Sequence, residues 1–228
     1  MTQITTWSDR RLCEDRVIKS LMRLRGVDRR VWFVHSEAQM RRLRRAAPGA
    51  EFCRLHAPVE TQYGNRIAHN LACLRDARVV WQRIAELSDD VLMVEDDILA
   101  PVQTVDYLRS VCRENGLASG ITRCWDGKLP SYTLTSPPHR MRVLPSKPRA
   151  VQHIGTYCLY WSAGAIAGLK ATGYEPDLNP PGVPELTGWD THLGWAMREA
   201  GQTIVVHPGV NVTHCCEIKP GVLRMLRA

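Results

Sequence analysis

Short apolar runs alternate with helical stretches through the first hundred residues, and that alternation restricts the chain to a small set of folds. Residues 1–6 suit a first strand, 31–34 a second, 51–55 a third and 91–94 a fourth. Between the first two, Cys13, Val17, Leu21 and Leu24 recur at helical spacing over residues 10–25, with Asp9 placed to cap the helix and Gly26 to end it. Residues 37–47 form a basic helix closed by Pro48 and Gly49. Residues 66–87 form a long helix whose stripe is Ile67, Leu71, Leu74, Trp81, Ile84 and Leu87. Another helix follows Pro101. This order predicts an α/β chain with a mostly parallel central sheet and helices on both faces. A length of 228 residues fits one such domain, residues 1–228, better than two.

The second half is looser. Residues 123–150 carry Gly127, Pro130, Pro137, Pro138, Pro145 and Pro148, which predicts a long, flexible, irregular segment. A strand over 155–161, a helix over 162–171, a helix over 189–200 and closing strands at 203–206 and 210–213 complete the reading.

The strongest chemical signal is the stretch VLMVEDDI. Glu95, Asp96 and Asp97 stand together where a buried strand ends, and ligands of parallel sheets bind beyond such ends. Three adjacent carboxylates repel one another unless a cation neutralises them. A hard divalent cation with oxygen ligands meets that need. Strand alternation, if it continues through the triplet, points Glu95 and Asp97 to one side and Asp96 to the other. The plain alternative is a solvated acidic turn in which Asp97 caps a helix.

Composition narrows the partners. The net charge is +7, which favours anionic partners such as nucleic acid, nucleotide-sugars or acidic glycans. Residues 123–150 hold Arg123, Lys128, Arg140, Arg142, Lys147 and Arg149 interleaved with Trp125, Tyr132 and His139, a mixture that suits an anionic partner whose bases stack. The eight cysteines include no CxxC pair, so most are expected to be reduced and buried. No apolar run reaches the roughly 18 to 20 residues of a membrane helix, and the opening MTQITTWSDRRLCEDR lacks the apolar core of a secretory signal. These features predict a soluble, cytoplasmic protein.

With the EDD strand on the page, the chain resembles the GT-A-fold glycosyltransferases, whose acidic DXD-type motif ends a central strand. The resemblance implies a GT-A-like domain that binds the nucleotide-sugar through residues 1–100 and holds the acceptor and catalytic groups in 101–228. It implies that Asp97 ligates the metal, and that Glu95 and Asp96 contact the donor or water on the metal. Two further stretches match. In TGWDTHLGWAMREAG, Asp190 stands at a helix start where the family places the base that takes the acceptor's proton in an inverting transfer; an ordinary N-cap role also suits the position, and His192 is a weaker candidate. In VVHPGVNVTHCCE, His214 fits the histidine that reaches back to the metal, and imidazole suits Mn2+ better than Mg2+. His207 reads as structural.

The resemblance also implies donor contacts from Thr5, Thr6, Arg10, His35 and Glu37, after the first two strands, and from Arg66 and Asn70 on the long helix. Arg66 at a helix start suits a diphosphate. The implied donor is a nucleoside-diphosphate sugar, most simply a UDP-sugar. More weakly, the chain is similar to short bacteriophage glycosyltransferases that act on hydroxymethylated pyrimidines in DNA. That similarity implies DNA as acceptor, a flipped base, and the host cytoplasm as location if the chain is phage-encoded. Competing readings are transfer to bacterial surface polysaccharide or a small molecule, a nucleic-acid-binding module without catalysis, and nucleotidyl transfer. The last expects a Gly-rich loop after the first strand, which ITTWSDRR lacks.

Overall fold

The computed structural model describes residues 1–8, 13–56, 66–112, 116–122, 132–133, 145–179, 188–219 and 222–227. Its first half follows the alternation: β1 (Thr2–Thr6), α1 (Glu14–Met22), β2 (Arg29–Val34), α2 (Glu37–Ala46), β3 (Glu51–Arg54), α3 (Arg66–Ala85) and β4 (Val91–Val94). The chain continues with β5 (Ile98–Leu99), α4 (Thr104–Val111), β6 (Gly116–Ile121), β7 (Tyr132–Thr133), β8 (Arg149–Val151), β9 (His153–Ile154) and β10 (Cys158–Trp161). It closes with α5 (Ala163–Ala171), α6 (Trp189–Glu199), β11 (Thr203–Asn211), β12 (Thr213–Lys219) and β13 (Val222–Arg227).

An eight-stranded sheet runs in the order β3-β2-β1-β4-β10-β6-β11-β8. β3, β2, β1 and β4 are parallel. β10 is inserted antiparallel between β4 and β6, β11 is again parallel to β6, and β8 closes the edge antiparallel. The sheet is therefore mostly parallel, as expected. One face is covered by α3, α5 and α6 through a core that includes Trp81, Ile84, Ile166, Leu169, Leu193 and Met197. The other is covered by α1, α2 and α4 through Val17, Leu21, Leu43, Val105 and Leu108. Leu71 departs from the expected stripe of α3: it is 53% exposed, and the helix buries Leu74, Ala77, Val80, Trp81 and Ile84 instead.

Two other expectations change. The closing strands 203–206 and 210–213 are not separate; β11 runs through His207-Pro208-Gly209 with a register shift between Val206 and Asn211, an irregularity that accommodates a proline inside a strand. The segment 123–150 is not wholly irregular, since β7 pairs with β9 and β8 with β11. The rest of that segment, from 123 to 144 apart from β7, lies outside the described residues. Cys13, Cys158 and Cys215 are buried and Cys53, Cys73 and Cys112 partly exposed, and none of these six is in a disulfide.

A second, three-stranded sheet has the order β13-β12-β5. It pairs Thr213 with Leu99 and His214 with Ile98, antiparallel. This small sheet sets the geometry of the site, because β5 directly follows the acidic triplet.

Candidate functional site

The site begins with the end of β4. All four residues of VLMV are buried, and the strand stops at Val94. The chain then turns, with the Ile98 N–H donating to the Glu95 carbonyl at 3.2 Å. The turn overrides strand alternation: Glu95, Asp96 and Asp97 all line one cleft of about 290 Å3, at the small end for ligand sites. Asp97 caps no helix, since it stands inside this turn and α4 starts only at Thr104.

Each carboxylate has its own anchor. Asp97 Oδ2 lies 3.1 Å from His214 Nε2, across 117 residues of sequence. The two side chains are 4% and 7% exposed, so the pair is nearly dry. The Cys215 N–H donates to the Asp97 carbonyl at 2.7 Å, which locks β12 against the turn, and the Tyr157 ring packs 4.9 Å from the His214 ring. Asp96 Oδ2 accepts from the Ser8 N–H at 2.7 Å and from the Ser8 hydroxyl at 2.6 Å. Glu95 Oε1 accepts from the Thr156 hydroxyl at 2.7 Å. Burial and the neighbouring Asp97 push the Glu95 carboxyl up to about 7, against the opposing pull of Thr156 and His214.

The start of α2 holds the opposite wall. Ser36 caps the helix by accepting the Gln39 N–H at 3.1 Å. The Gln39 side chain returns to accept the His35 N–H at 2.8 Å and donates to the carbonyls of Trp7 and Ser8 at 3.2 and 2.8 Å. Ser8 is thus fixed from both sides, by Gln39 at its carbonyl and by Asp96 at its hydroxyl. His35 Nδ1 lies 2.7 Å from the His56 carbonyl, and its Nε2 faces Asp76 Oδ2 at 3.6 Å. Asp76, with Cys73, Ala77 and Val80, forms the α3 face of the cleft. Burial raises the Asp76 carboxyl above its ordinary value, opposed by His35 and Arg75.

Of the residues singled out in sequence, the structure brings Thr6, His35, Glu95, Asp96 and Asp97 into the cleft, with His214 directly behind Asp97. Trp189 lines it as well, and Asp190 follows at the start of α6. The N-cap of α6 is Gly188, so Asp190 is not the cap; its Oδ1 accepts the Thr191 N–H at 2.9 Å. Thr5 does not line the cleft: it is fully buried, and its hydroxyl accepts from the Gln3 amide. Glu37 is exposed in the first turn of α2 and Asn70 is half-buried on α3, and neither lines the cleft. Arg10 and the Arg66 side chain lie outside the described residues. His192 is structural, with Nδ1 accepting the Asp177 N–H at 3.0 Å and its ring stacked between Tyr174 and Trp195. His207 accepts the Gly209 N–H at 3.0 Å, and its ring packs at a tilt against Tyr107.

Sequence reasoning missed Ser8, Asp76, Trp189 and Thr156. Ser8 carried a usable signal, a polar residue at the carboxyl end of a parallel strand. Asp76 carried one too, as an acid on a helix face otherwise lined by Cys73, Ala77 and Val80. Thr156 carried none, because nothing local announces its partner 61 residues away.

The donor set of Asp97 and His214 suits a divalent cation. Among the described residues, no three His, Cys, Asp or Glu side chains converge to hold a metal by protein ligands alone. One or two protein ligands, completed by substrate phosphates and water, are a common arrangement for a hard cation in phosphate chemistry.

No protein-family model and no curated protein matches the sequence. Solved structures do match in shape. GalNAc-T7, solved with UDP, GalNAc and Mn2+, aligns over 93% of this chain at 10% identity and a TM-score of 0.56. The chain spans only 43% of that protein. The inositol-1-phosphate CTP transferase from T. maritima aligns over 93% of this chain and 88% of its own, at 15% identity and a TM-score of 0.51. The fold is GT-A-like. Among the described residues, no helix is long and apolar enough to cross a membrane.

Proposed function

We propose that the chain is a metal-dependent glycosyltransferase that moves a sugar from a nucleoside-diphosphate sugar to an acceptor hydroxyl with inversion. The observation that carries this reading is the buried Asp97–His214 pair, whose Asp97 lines a cleft at strand ends. Asp97 and His214 are the residues to hold Mn2+ or Mg2+. When bound, the cation supplies positive charge to the leaving diphosphate. Asp96, clamped by Ser8, and Glu95, clamped by Thr156, hold the turn rigid and present their remaining oxygens to donor hydroxyls or metal-bound water. Thr6 and His35 line the wall next to them and serve the nucleoside. Arg66, at the first position of α3, and Arg10 are assigned to the diphosphate and nucleoside from sequence. Asp190 takes the proton of the attacking hydroxyl. Asp190 is assigned this role from sequence, and its neighbour Trp189 at the start of α6 lines the cleft.

The donor is assigned as a UDP-sugar, and the acceptor as the hydroxymethyl group of a modified pyrimidine in DNA. The acceptor assignment draws on the basic, aromatic-interleaved segment 123–150. A second reading, nucleotidyl transfer, is favoured by the shape likeness to the CTP transferase.

One screen separates these. Nucleotide-sugars are paired with hydroxymethylated duplex DNA and with simple glycans, nucleoside triphosphates are paired with sugar phosphates, and product mass is read. The proposal expects a hexose added to DNA, with Mn2+ required. Pyrophosphate released from a triphosphate, with no sugar transfer, would replace it by the second reading.

A further inference from the structure

Among the described residues, the exposed cations are unevenly distributed. α1 and α2 cover the same face of the sheet and are tied together by Arg42, which holds Glu14 through two bonds of 2.8 and 2.7 Å. On their outer side, Arg16, Lys19 and Arg23 form one row and Arg41, Arg44 and Arg45 another, all exposed. The exposed acids among them are Asp15 and Glu37. Among the described residues, the layer on the opposite face exposes Arg78 and Lys170 on α3 and α5 against Glu199 on α6.

These rows place like charges three and four residues apart, as in Arg16 with Lys19, Lys19 with Arg23, and Arg41 with Arg44 and Arg45. Like charges at these spacings destabilise an isolated helix. The apolar faces of both helices are spent on the core through Val17, Ile18, Leu21 and Leu43. The outer side therefore has little to insert into lipid: Met22, at 37% exposure, is its one exposed large apolar residue among those described. Five of the six cations are arginines, whose planar fork matches phosphate oxygens. Because α1 and α2 follow β1 and β2, their N-termini lie at the carboxyl edge of the sheet, where the cleft opens, and the rows run away from that edge.

We propose that the α1–α2 face is a docking surface for the phosphate backbone of double-stranded nucleic acid. A duplex seated on it passes the mouth of the Asp97 cleft. The charge pattern stands by itself, while the link to catalysis rests on the acceptor assigned above.

The test is fluorescence anisotropy of the full chain with a labelled duplex of about 20 base pairs, titrated across a range of KCl concentrations. Four to six phosphate contacts predict a log–log salt slope of about −4 to −5. The triple variant R41A/R44A/R45A is expected to flatten the slope by about 2 to 3 and to weaken binding about tenfold or more. K170E, on the opposite layer, leaves both unchanged. All four positions are exposed, and matching thermal unfolding of the variants and the parent checks that they fold. An unchanged slope in the triple variant overturns the proposal, as does absence of duplex binding at low salt. So does arginine-dependent binding to phosphatidylserine vesicles without duplex binding, which makes the face a membrane surface. Nucleotide-sugar turnover without duplex binding sinks this inference and leaves the transferase standing. Duplex binding through these arginines without turnover does the reverse.

Discussion

Asp96 and Asp97 are neighbours in sequence with unlike partners. Asp97 meets His214 in a nearly dry pair, and Asp96 is spoken for by Ser8. Hydrogen bonds to a charged acceptor contribute about 1.5 to 3 kcal/mol. Ser8→Ala removes the hydroxyl and keeps the N–H, so Asp96 loses one of those two bonds. Nucleotide affinity is expected to fall about tenfold by calorimetry, with the fold intact by circular dichroism. An unchanged affinity would mean that the orientation of Asp96 does not matter to the ligand. Asp190→Asn keeps size and polarity and removes the proposed base. Donor binding is expected to survive while transfer falls by about 100-fold to 10,000-fold; single-turnover rates at the parent level would exclude Asp190 as the base.

At the scale of elements, β6 and the β9–α6 contact make the account testable away from the cleft. β6 reads GLASGI and is buried along its whole length. A Cβ at Gly120 would come within 2.8 Å of Val210 Cγ1 and 2.9 Å of the Val210 carbonyl. Gly120→Ala must therefore push β6 from β11, at a cost of about 1 to 3 kcal/mol in urea unfolding. A neutral result would show that the β11 irregularity absorbs the methyl. His153, on β9, is 6% exposed and lies 3.4 Å from Arg198 of α6. Burial, then Arg198, lowers its pKa from 6.5 to about 4. Between those values the unfolded chain binds the extra proton, so this contribution is complete above about pH 6.5 and is lost as pH falls towards 4. The loss between pH 7 and pH 5 amounts to about 2 kcal/mol. His153→Gln should flatten the stability profile in that window, and an identical profile would contradict the buried neutral imidazole.

The same elements show what a sequence discloses. β1, β2, β3 and β4 are legible because their apolar runs are bounded by turn residues and helical stripes. β6 is not, because glycine, alanine and serine give it no strand preference; the close approach of β11 explains Gly120, and the bond of the Ser119 hydroxyl to the Cys158 carbonyl explains Ser119. At the site, the acids announce themselves by clustering. The match of His214 to Asp97 came through family likeness. Its physical cause, the pairing of β12 with the two-residue β5, has no local signature. Thr5 and Thr6 are equivalent in sequence and are separated by the pleat, which turns one into the core and the other into the cleft.

At the scale of the whole molecule, a GT-A-like sheet carries the cleft at the β4 turn, and β12 brings His214 against Asp97 from 117 residues away. A cation and a nucleoside diphosphate that bridge them should stabilise the protein together more than separately, because each completes the other's coordination. The most direct test is a calorimetric titration of UDP into the protein with Mn2+ and with a chelator, repeated for Asp97→Asn and His214→Gln. The expected result is UDP binding that needs Mn2+ and weakens about 100-fold or more in either variant. Equal UDP affinity in chelator, or affinity untouched by both substitutions, would contradict the assignment of Asp97 and His214 as the metal site.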